Sequence, residues 1–469
     1  MEIDSILEEV LRRIRPSREE EERVKNLSLY IVSILDEILR KSGLSSKARI
    51  EIEGSFARET WLSGDVDLDV FILFDPSLPR DLLRKYGLLL GESLAKKLGT
   101  TPLKRYASHP YIEIEYKNIK IDVVPAYKVH SAREAITPVD RTPFHTRYIR
   151  AVIEKKKRLK DEIRLLKRFT KGIGVYGAEI RTEGFSGYLL EVLTAHYGSF
   201  KDVLRAASNW KPWKTLIDPE GFYADRRKDA FLLFRSPLIV IDPVDERRNA
   251  ASAVSLDKLS IFILACKELL EKPSLNFFYP SYPSVNKEKL KNLIEEQNVI
   301  GIKTLVPDMP EDTLWGQIKR SLKGIRDLLE RYGFKVLDTF AWSENGVLIM
   351  LFKLTSLTRS KIEKHIGPPV YMQNSIDFLH KSEKRSDLIA GPYIDGERIA
   401  VIKRVKYCDA ETLVREKVNE ARLGKLIGKY LKTHMEVLVG PEVVEVFPKH
   451  EYLEELYRWL VRKLPWRYS

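Results

Sequence analysis

The chain has 469 residues, room for about three domains at roughly 150 residues each, and 44% of them are hydrophobic, a globular and not a disordered composition. Lys plus Arg number 80 against 67 Asp plus Glu, a net charge of +13 that suits a handler of polyanions or a charge-rich surface and alone decides neither. Cys266 and Cys408 lack metal-ligand spacing and exclude a disulfide framework beyond one bridge. No apolar run reaches membrane-spanning length, and the acidic, amphipathic start is unlike a signal peptide, so the expected setting is a reducing cytoplasm.

Two helices open the chain. Ser5-x-x-Glu8 and Ser17-x-x-Glu20 both fit capping boxes, and Val24, Leu27, Ile31, Ile34, Leu35 and Ile38 form a 3.6-residue stripe that Gly43 can end. A strand is expected over 48–53, a second over 66–74, a helix over 80–97, and a hairpin over 111–124 turning at Lys117-Asn118. Residues 146–171 read as one basic helix and 186–198 as another. Cys266 lies in the apolar run 261–266 and reads as a core thiol. The Pro- and aromatic-rich stretch 277–283 marks a boundary. Beyond it strands are expected over 336–340, 347–354 and 398–405, with a helix over 412–430. The fold class is α+β, short strands with helices around them.

The chemistry concentrates in one segment. Strand side chains alternate faces, so Asp65, Asp67 and Asp69 share one parity, and Val66, Leu68, Val70, Ile72 and Phe74 share the other. The acidic parity continues as Phe71 and Leu73, which puts the carboxylates at the entry of a strand buried on both faces further along. Carboxylates this close repel unless a cation lies between them, and hard oxygens at i and i+2 suit Mg²⁺. The second arm of the hairpin carries Asp122 opposite Ile121 and Val123, and an adjacent strand would bring it to the same cleft. A lone Asp-x-Asp would read as a hydrated strand end. Here Gly54-Ser55 precedes it by a short loop, where small residues let backbone N–H groups approach phosphate oxygens, and Arg58 could pair with the same phosphates.

Gly54-Ser55, Asp67-x-Asp69 and a distant Asp122 together resemble the nucleotidyltransferase superfamily of DNA polymerase beta and poly(A) polymerase. Longer strings are similar to those of the archaeal (class I) CCA-adding enzymes, which are tRNA nucleotidyltransferases. They are Arg58-Glu-Thr-Trp-Leu-x-Gly-Asp-x-Asp-Leu-Asp-Val-Phe71, Ile121-Asp-Val-Val-Pro-Ala-Tyr127, Asp140-Arg-Thr-Pro-Phe-His145, Tyr176-Gly-Ala-Glu179, Gly184-Phe-Ser-Gly-Tyr188, Asp242-Pro-Val-Asp245 with Arg248-Asn249, and Lys364-His-Ile-Gly-Pro-Pro369. The resemblance implies that Asp67, Asp69 and Asp122 are the catalytic and metal-binding carboxylates, with Asp65 a neighbour. It places Ser55 and Arg58 at the phosphates of ATP or CTP, and His145, Lys167 and Tyr176 on the second wall of the nucleotide site. Thr142 and Arg248 match more weakly, the latter for the base edge.

The same resemblance implies a catalytic head over 1–145 with a mixed sheet, a helical neck over 146–275 that completes the nucleotide pocket, and an α+β body and tail over 276–469 that binds the tRNA acceptor arm and TΨC region. It implies a two-Mg²⁺ site, ATP and CTP as substrates, no membrane, and room for a homodimer. On the residues alone, Lys167 would share a helix with Arg164 and Arg168 and offer cations to a triphosphate, and His145 would sit in a loop before a helix. Basic groups such as Arg226-Arg-Lys228, Lys319-Arg320 with Lys323, and Arg404 with Lys406 are candidate phosphate contacts. Competing readings are a poly(A) or terminal uridylyl transferase, a catalytically silent RNA-binding protein, and an enzyme making a small second messenger.

Overall fold

A computed structural model describes residues 2–106 and 110–468. The chain forms two compact units, residues 1–283 with 463–469, and residues 284–462. The last seven residues, which the sequence leaves with the C-terminal portion, therefore belong to the first unit. Among the described residues no helix is long and apolar enough to cross a membrane.

The first unit opens with α1 (Ile3–Ile14) and α2 (Arg18–Lys41). Ser17 caps α2 as expected, accepting from the Glu20 N–H at 3.1 Å. The capping box at Ser5 does not form, because α1 has already begun at Ile3 and the Ser5 hydroxyl donates back to the Glu2 carbonyl at 2.8 Å. The Glu20 carboxylate reaches instead to the Ser63 hydroxyl and the Gly64 N–H, which ties the start of α2 to the loop that leads into the acidic strand.

Strands β1 (Ala48–Glu53), β2 (Asp67–Phe74), β3 (Leu103–Tyr106), β4 (Pro110–Tyr116) and β5 (Ile119–Tyr127) make one sheet in the order β1-β2-β5-β4-β3. The expected hairpin is β4 and β5, turning through Lys117 and Asn118 at φ +52° and +59°. β2 and β5 run parallel, the other neighbours antiparallel. One face of β2 and β5, with Leu68, Val70, Ile72, Phe74, Ile121 and Val123, is buried in a core shared with α2 and with α4 (Arg80–Leu98); α3 is the single turn Gly54–Ala57. The other face is acidic at its entry and apolar beyond, where Phe71, Leu73, Val124 and Ala126 pack together. This is the two-sided burial that the residue alternation predicts.

The single basic helix expected over 146–171 is two helices, α5 (Thr142–Lys155) and α6 (Leu159–Gly172), because Lys156 leaves helical geometry at φ −136° and ψ 77°. α7 (Gly187–Tyr197) is capped by Ser186 and ends at Gly198 in the left-handed region. After α8 (Phe200–Ala207) comes a small sheet of β6 (Leu216–Ile217), β7 (Ile239–Asp242) and β8 (Asp245–Asn249), with α9 (Arg227–Phe234) between β6 and β7 in the chain, and α10 (Leu256–Glu271) follows. Phe169, Phe185, Phe200, Phe262, Phe277 and Phe278 build the core beneath, with Cys266 fully buried among them.

In the second unit, α11 (Lys287–Glu296), β9 (Val299–Leu305), α12 (Glu311–Arg331), β10 (Val336–Glu344) and β11 (Val347–Leu354) precede a second sheet of β12 (Ile362–Pro369), β13 (Leu388–Asp395) and β14 (Arg398–Arg404), with α13 (Ser375–Glu383) between β12 and β13. The helix expected over 412–430 is interrupted, giving α14 (Ala410–Lys417) and α15 (Lys425–His434). The reason lies in α12: Gly424 donates to the Ser321 hydroxyl and an added Cβ there would stand 2.6 Å from Gln317 Cβ, so the chain turns at its point of closest approach. β15 (Glu436–Val439) completes the four-stranded order β10-β11-β9-β15, and α16 (His450–Val461) closes the unit.

Candidate active site

The register of the first sheet brings the acidic residues together. Asp69 pairs with Asp122 across the parallel β2–β5 ladder, and the same row continues to Glu53 on β1 and Glu113 on β4. Asp67 lies two residues back along β2, opposite Lys120. Directly paired residues share a sheet face, so four strands contribute one carboxylate each to a single row. Gly54 closes the approach from β1. It takes φ +72°, and an added Cβ would overlap Asp69 Oδ2. Only glycine meets both demands, the left-handed backbone and the contact with a carboxylate. Ser55 follows it, half-buried, at the start of the α3 turn, which carries no side-chain cap.

Burial sets the electrostatics. Asp67 is exposed, Asp69 half-buried and Asp122 buried. Loss of water raises the carboxyl of Asp69, and Asp67 beside it adds to the effect. Asp67 is raised for the same first reason. Burial pushes Asp122 up to about 7, with Asp69 and Glu113 adding and Lys120 opposing. Lys120 Nζ is 3.2 Å from Asp122 Oδ2. Burial alone would depress this ammonium, yet Asp122 and Asp67 hold it above its ordinary value. Asp122 Oδ1 is buried with no hydrogen-bond partner. Among the described residues no group of three or more His, Cys, Asp or Glu side chains is placed to hold a metal ion. The donor chemistry is nonetheless of the right kind: Asp69 and Asp122 pair across the ladder, Asp67 lies two residues back, and hard carboxylate oxygens, that of Asp122 orphaned, suit a divalent cation that keeps water and phosphate among its ligands. Asp65 turns away to Lys171 on α6.

The loop after α3 is gripped from the helical side by a buried polar cluster. Glu191 on α7 is fully buried. Its Oε1 accepts from the Thr60 hydroxyl at 2.5 Å and from Lys167 Nζ at 2.8 Å, and its Oε2 lies 2.7 Å from Arg58 Nε. Lys167 also donates to the Thr60 carbonyl, and Arg58 donates to Thr146 on α5. Burial works to raise Glu191, but Arg58 and Lys167 hold it below its ordinary value, while burial depresses Lys167. Lys167, Arg164 and Arg168 therefore do not stand free on a hydrated helix face. Arg164 donates to the Trp61 and Glu59 carbonyls and Arg168 to the Phe278 carbonyl. Arg164 and Lys167 face inward, toward the loop that leads to β2. Tyr176 lies under Lys171 Nζ at 4.9 Å. Its hydroxyl and Lys167 fit beside Gly187, where an added Cβ would come 3.1 Å from Tyr176 Oη.

His145 lies inside α5 and is buried, not in a loop before the helix. Pro143 presets a helical φ at the start of α5, so the helix begins before His145 instead of after it. Its Nε2 is 3.0 Å from Asp242 Oδ2 and its ring stacks on Tyr188 at 3.9 Å. Burial lowers the pKa of the His145 ring against the opposing pull of Asp242. Asp242 also accepts from the Tyr188 hydroxyl, the Arg248 guanidinium and the Val244 N–H. Burial opposes its charge, yet these partners, His145 first, hold it down to about 2. Thr142 opens α5, half-buried, and Arg248 lies 5.9 Å over Tyr188. Glu191 was not singled out from sequence, although a lone acid among Leu189, Leu190, Val192 and Leu193 on α7 is the signal that marks it. Asp242 was noted only as part of a string.

Residues 31–145 match the model described as nucleotidyltransferase domain, 161–279 that described as tRNA nucleotidyltransferase, second domain, and 297–440 that described as CCA-adding enzyme, C-terminal domain. The CCA-adding enzyme of Sulfurisphaera tokodaii is 41% identical over 417 residues, 88% of this chain and 91% of that one. The CCA-adding enzyme of Methanosarcina barkeri is 37% identical over 442 residues, 93% of this chain and 92% of that one. A structure of the Cid1 poly(U) polymerase with Mg and 3′-dATP bound covers 58% of this chain and 94% of its own at 16% identity and a TM-score of 0.45, a likeness too slight to bear on activity. With relatives this similar over nine-tenths of its length, the chain belongs to the family of CCA-adding enzymes.

Proposed function

We propose that the chain is a CCA tRNA nucleotidyltransferase, building and repairing the 3′-terminal CCA of tRNA one nucleotide at a time, without a template, from CTP and ATP. The observation that carries the reading is the register of Asp69 with Asp122 beneath the Gly54 turn. The tRNA 3′-hydroxyl attacks the α-phosphate in line and pyrophosphate leaves. Asp67, Asp69 and Asp122 would hold two Mg²⁺ ions, which supply charge stabilisation to the attacking and leaving oxygens. Asp122, buried with an unpaired oxygen, is the group best placed to take up the hydroxyl proton.

Ser55 and the N–H groups of the α3 turn receive phosphate oxygens. Arg58 and Lys167 act from beneath as buried positive charge, and Tyr176 and His145 form the wall for sugar and base. The head spans 1–145, the neck 146–275, and the body and tail 276–469 carry the acceptor arm and TΨC region, whose duplex is read by shape. Both cysteines are free, in keeping with a cytoplasmic setting.

The test is incubation of the protein with Mg²⁺, CTP, ATP and a tRNA ending at its discriminator base, followed by sequencing of the product. A CCA end that Asp69→Ala abolishes is the expected result. A homopolymer tail would make the chain a tailing enzyme, and no incorporation would leave only RNA binding.

A further inference from the structure

The small sheet of the first unit carries a feature that the reaction as described leaves unused. Trp213, before β6, takes φ +66°, and Arg235, at the end of α9, takes φ +41°. Bulky residues rarely adopt the left-handed region, and where they do the surroundings impose it. The two are linked, since the Trp213 N–H donates to the Pro237 carbonyl at 2.8 Å, two residues beyond Arg235. Trp213 is 54% exposed. Beside this link opens a pocket of about 450 Å³ lined by Arg141, Arg235, Arg247 and Arg248. Asp245 pairs with Arg141 and Arg247, and Asp242 with Arg248. Arg235 has no ion partner among the described residues. Four guanidinium groups face two carboxylates, so positive charge is left over for a ligand.

A docked protein helix would not call for four arginines, and a lone anion would not call for an exposed indole. The combination of a cationic recess and an aromatic face is what unpaired nucleic acid requires: phosphates enter the recess and a base stacks on the ring. We propose that Trp213 and the arginine pocket form a platform for an unpaired strand of the RNA substrate, one base on the indole and the adjoining phosphodiester against Arg235 and Arg247. The proposal rests on the reading of the substrate as an RNA with an unpaired 3′ end.

Wild type, Trp213→Ala, Trp213→Phe and Arg235→Gln are compared in two assays. One is the KM for tRNA and, separately, for CTP in addition of the first C. The other is binding of a short single-stranded oligoribonucleotide by fluorescence anisotropy. Trp213→Ala and Arg235→Gln are expected to raise the tRNA KM and weaken the oligonucleotide about tenfold while the CTP KM stays within about twofold, and Trp213→Phe is expected to keep most of the affinity. Arg235→Gln also lowers the salt slope of oligonucleotide binding by about one. Unchanged tRNA KM and oligonucleotide affinity in both variants overturns the platform. A rise in the CTP KM alone overturns it as well, because the pocket then takes the triphosphate. A wild-type protein that adds no nucleotide defeats the proposed function instead, and the oligonucleotide assay still decides the platform.

Discussion

Burial sets Asp122 apart from an ordinary carboxylate. Its carboxyl is raised to about 7, first by burial, against about 3.9 in an unfolded chain. In the metal-free protein its contribution to stability is fully present below the unfolded value and is lost as pH rises through about 7. Metal binding needs the carboxylate, so Mg²⁺ or Mn²⁺ affinity is expected to climb with pH until about 7 and then level off, as isothermal titration from pH 5.5 to 8.5 would read. Asp122→Asn should flatten that profile and lower incorporation on the order of a thousandfold, the scale of a lost transition-state contact. It should leave the metal-free protein no less stable near pH 8. A variant that kept the slope would place the titrating group elsewhere.

Glu191 differs from Asp122, since its charge is fully compensated by Arg58 and Lys167. Removing one member of a buried ion cluster strands the others, at a cost of about 3–5 kcal/mol. Glu191→Gln keeps the shape and loses the charge, so it should unfold at lower urea and raise the KM for CTP and ATP together, because Arg58 loses its anchor. Burial already depresses Lys167, and without Glu191 it sheds its proton more readily. The stability deficit should therefore shrink as pH rises, in urea titrations repeated at pH 7 and 9. A deficit independent of pH would mean that Lys167 stays charged without its partner.

At the scale of elements, α3 and β2 meet at Gly54, and the match leaves no room for a Cβ. Gly54→Ala forces either a left-handed alanine, a cost of about 1–2 kcal/mol, or a retreat of the Asp69 carboxylate that the Cβ would overlap. We expect a modest loss of stability and a much larger loss of metal affinity, measured together by calorimetry and metal titration. Equal, small losses in both would show that Asp69 can step aside. The elements that make this junction were legible in sequence because their signals are local. The period-two alternation of 66–74 and the positive-φ turn at Lys117 and Asn118 are written in consecutive residues, and so is the parity of Asp67 and Asp69. What stayed hidden depends on partners distant in sequence. The turn at Gly424 is set by packing against Gln317, and Lys156 leaves helical geometry without a breaker residue, so a helical reading runs straight through both. His145 and Lys167 were found by resemblance, but their burial could not be, since it is created by Asp242 and Glu191 across about 97 and 24 residues of chain.

At the scale of the whole molecule, the chain crosses from the first unit to the second once and comes back. The return is made by Trp466. It is buried in the phenylalanine core, stacks on Phe277 at 5.3 Å and donates from Nε1 to Glu268 Oε2 at 2.8 Å, while Arg467 pairs with the other oxygen of Glu268. Phe277 packs on Phe169 of α6, the helix that carries Lys167. A residue far along the chain thus supports the helix that carries Lys167. Replacing a buried Trp by Ala costs about 3–5 kcal/mol, and here the loss should fall on one unit. Urea unfolding of Trp466→Ala is expected to show two transitions where one has moved to lower urea and the other has stayed, with the KM for nucleotides rising as the first unit loosens. Trp466→Phe keeps the stack and drops only the hydrogen bond, so it should recover most of the difference. If both transitions moved together, the two units would unfold as one, and the closing segment would be holding the entire chain instead of the half that performs the chemistry.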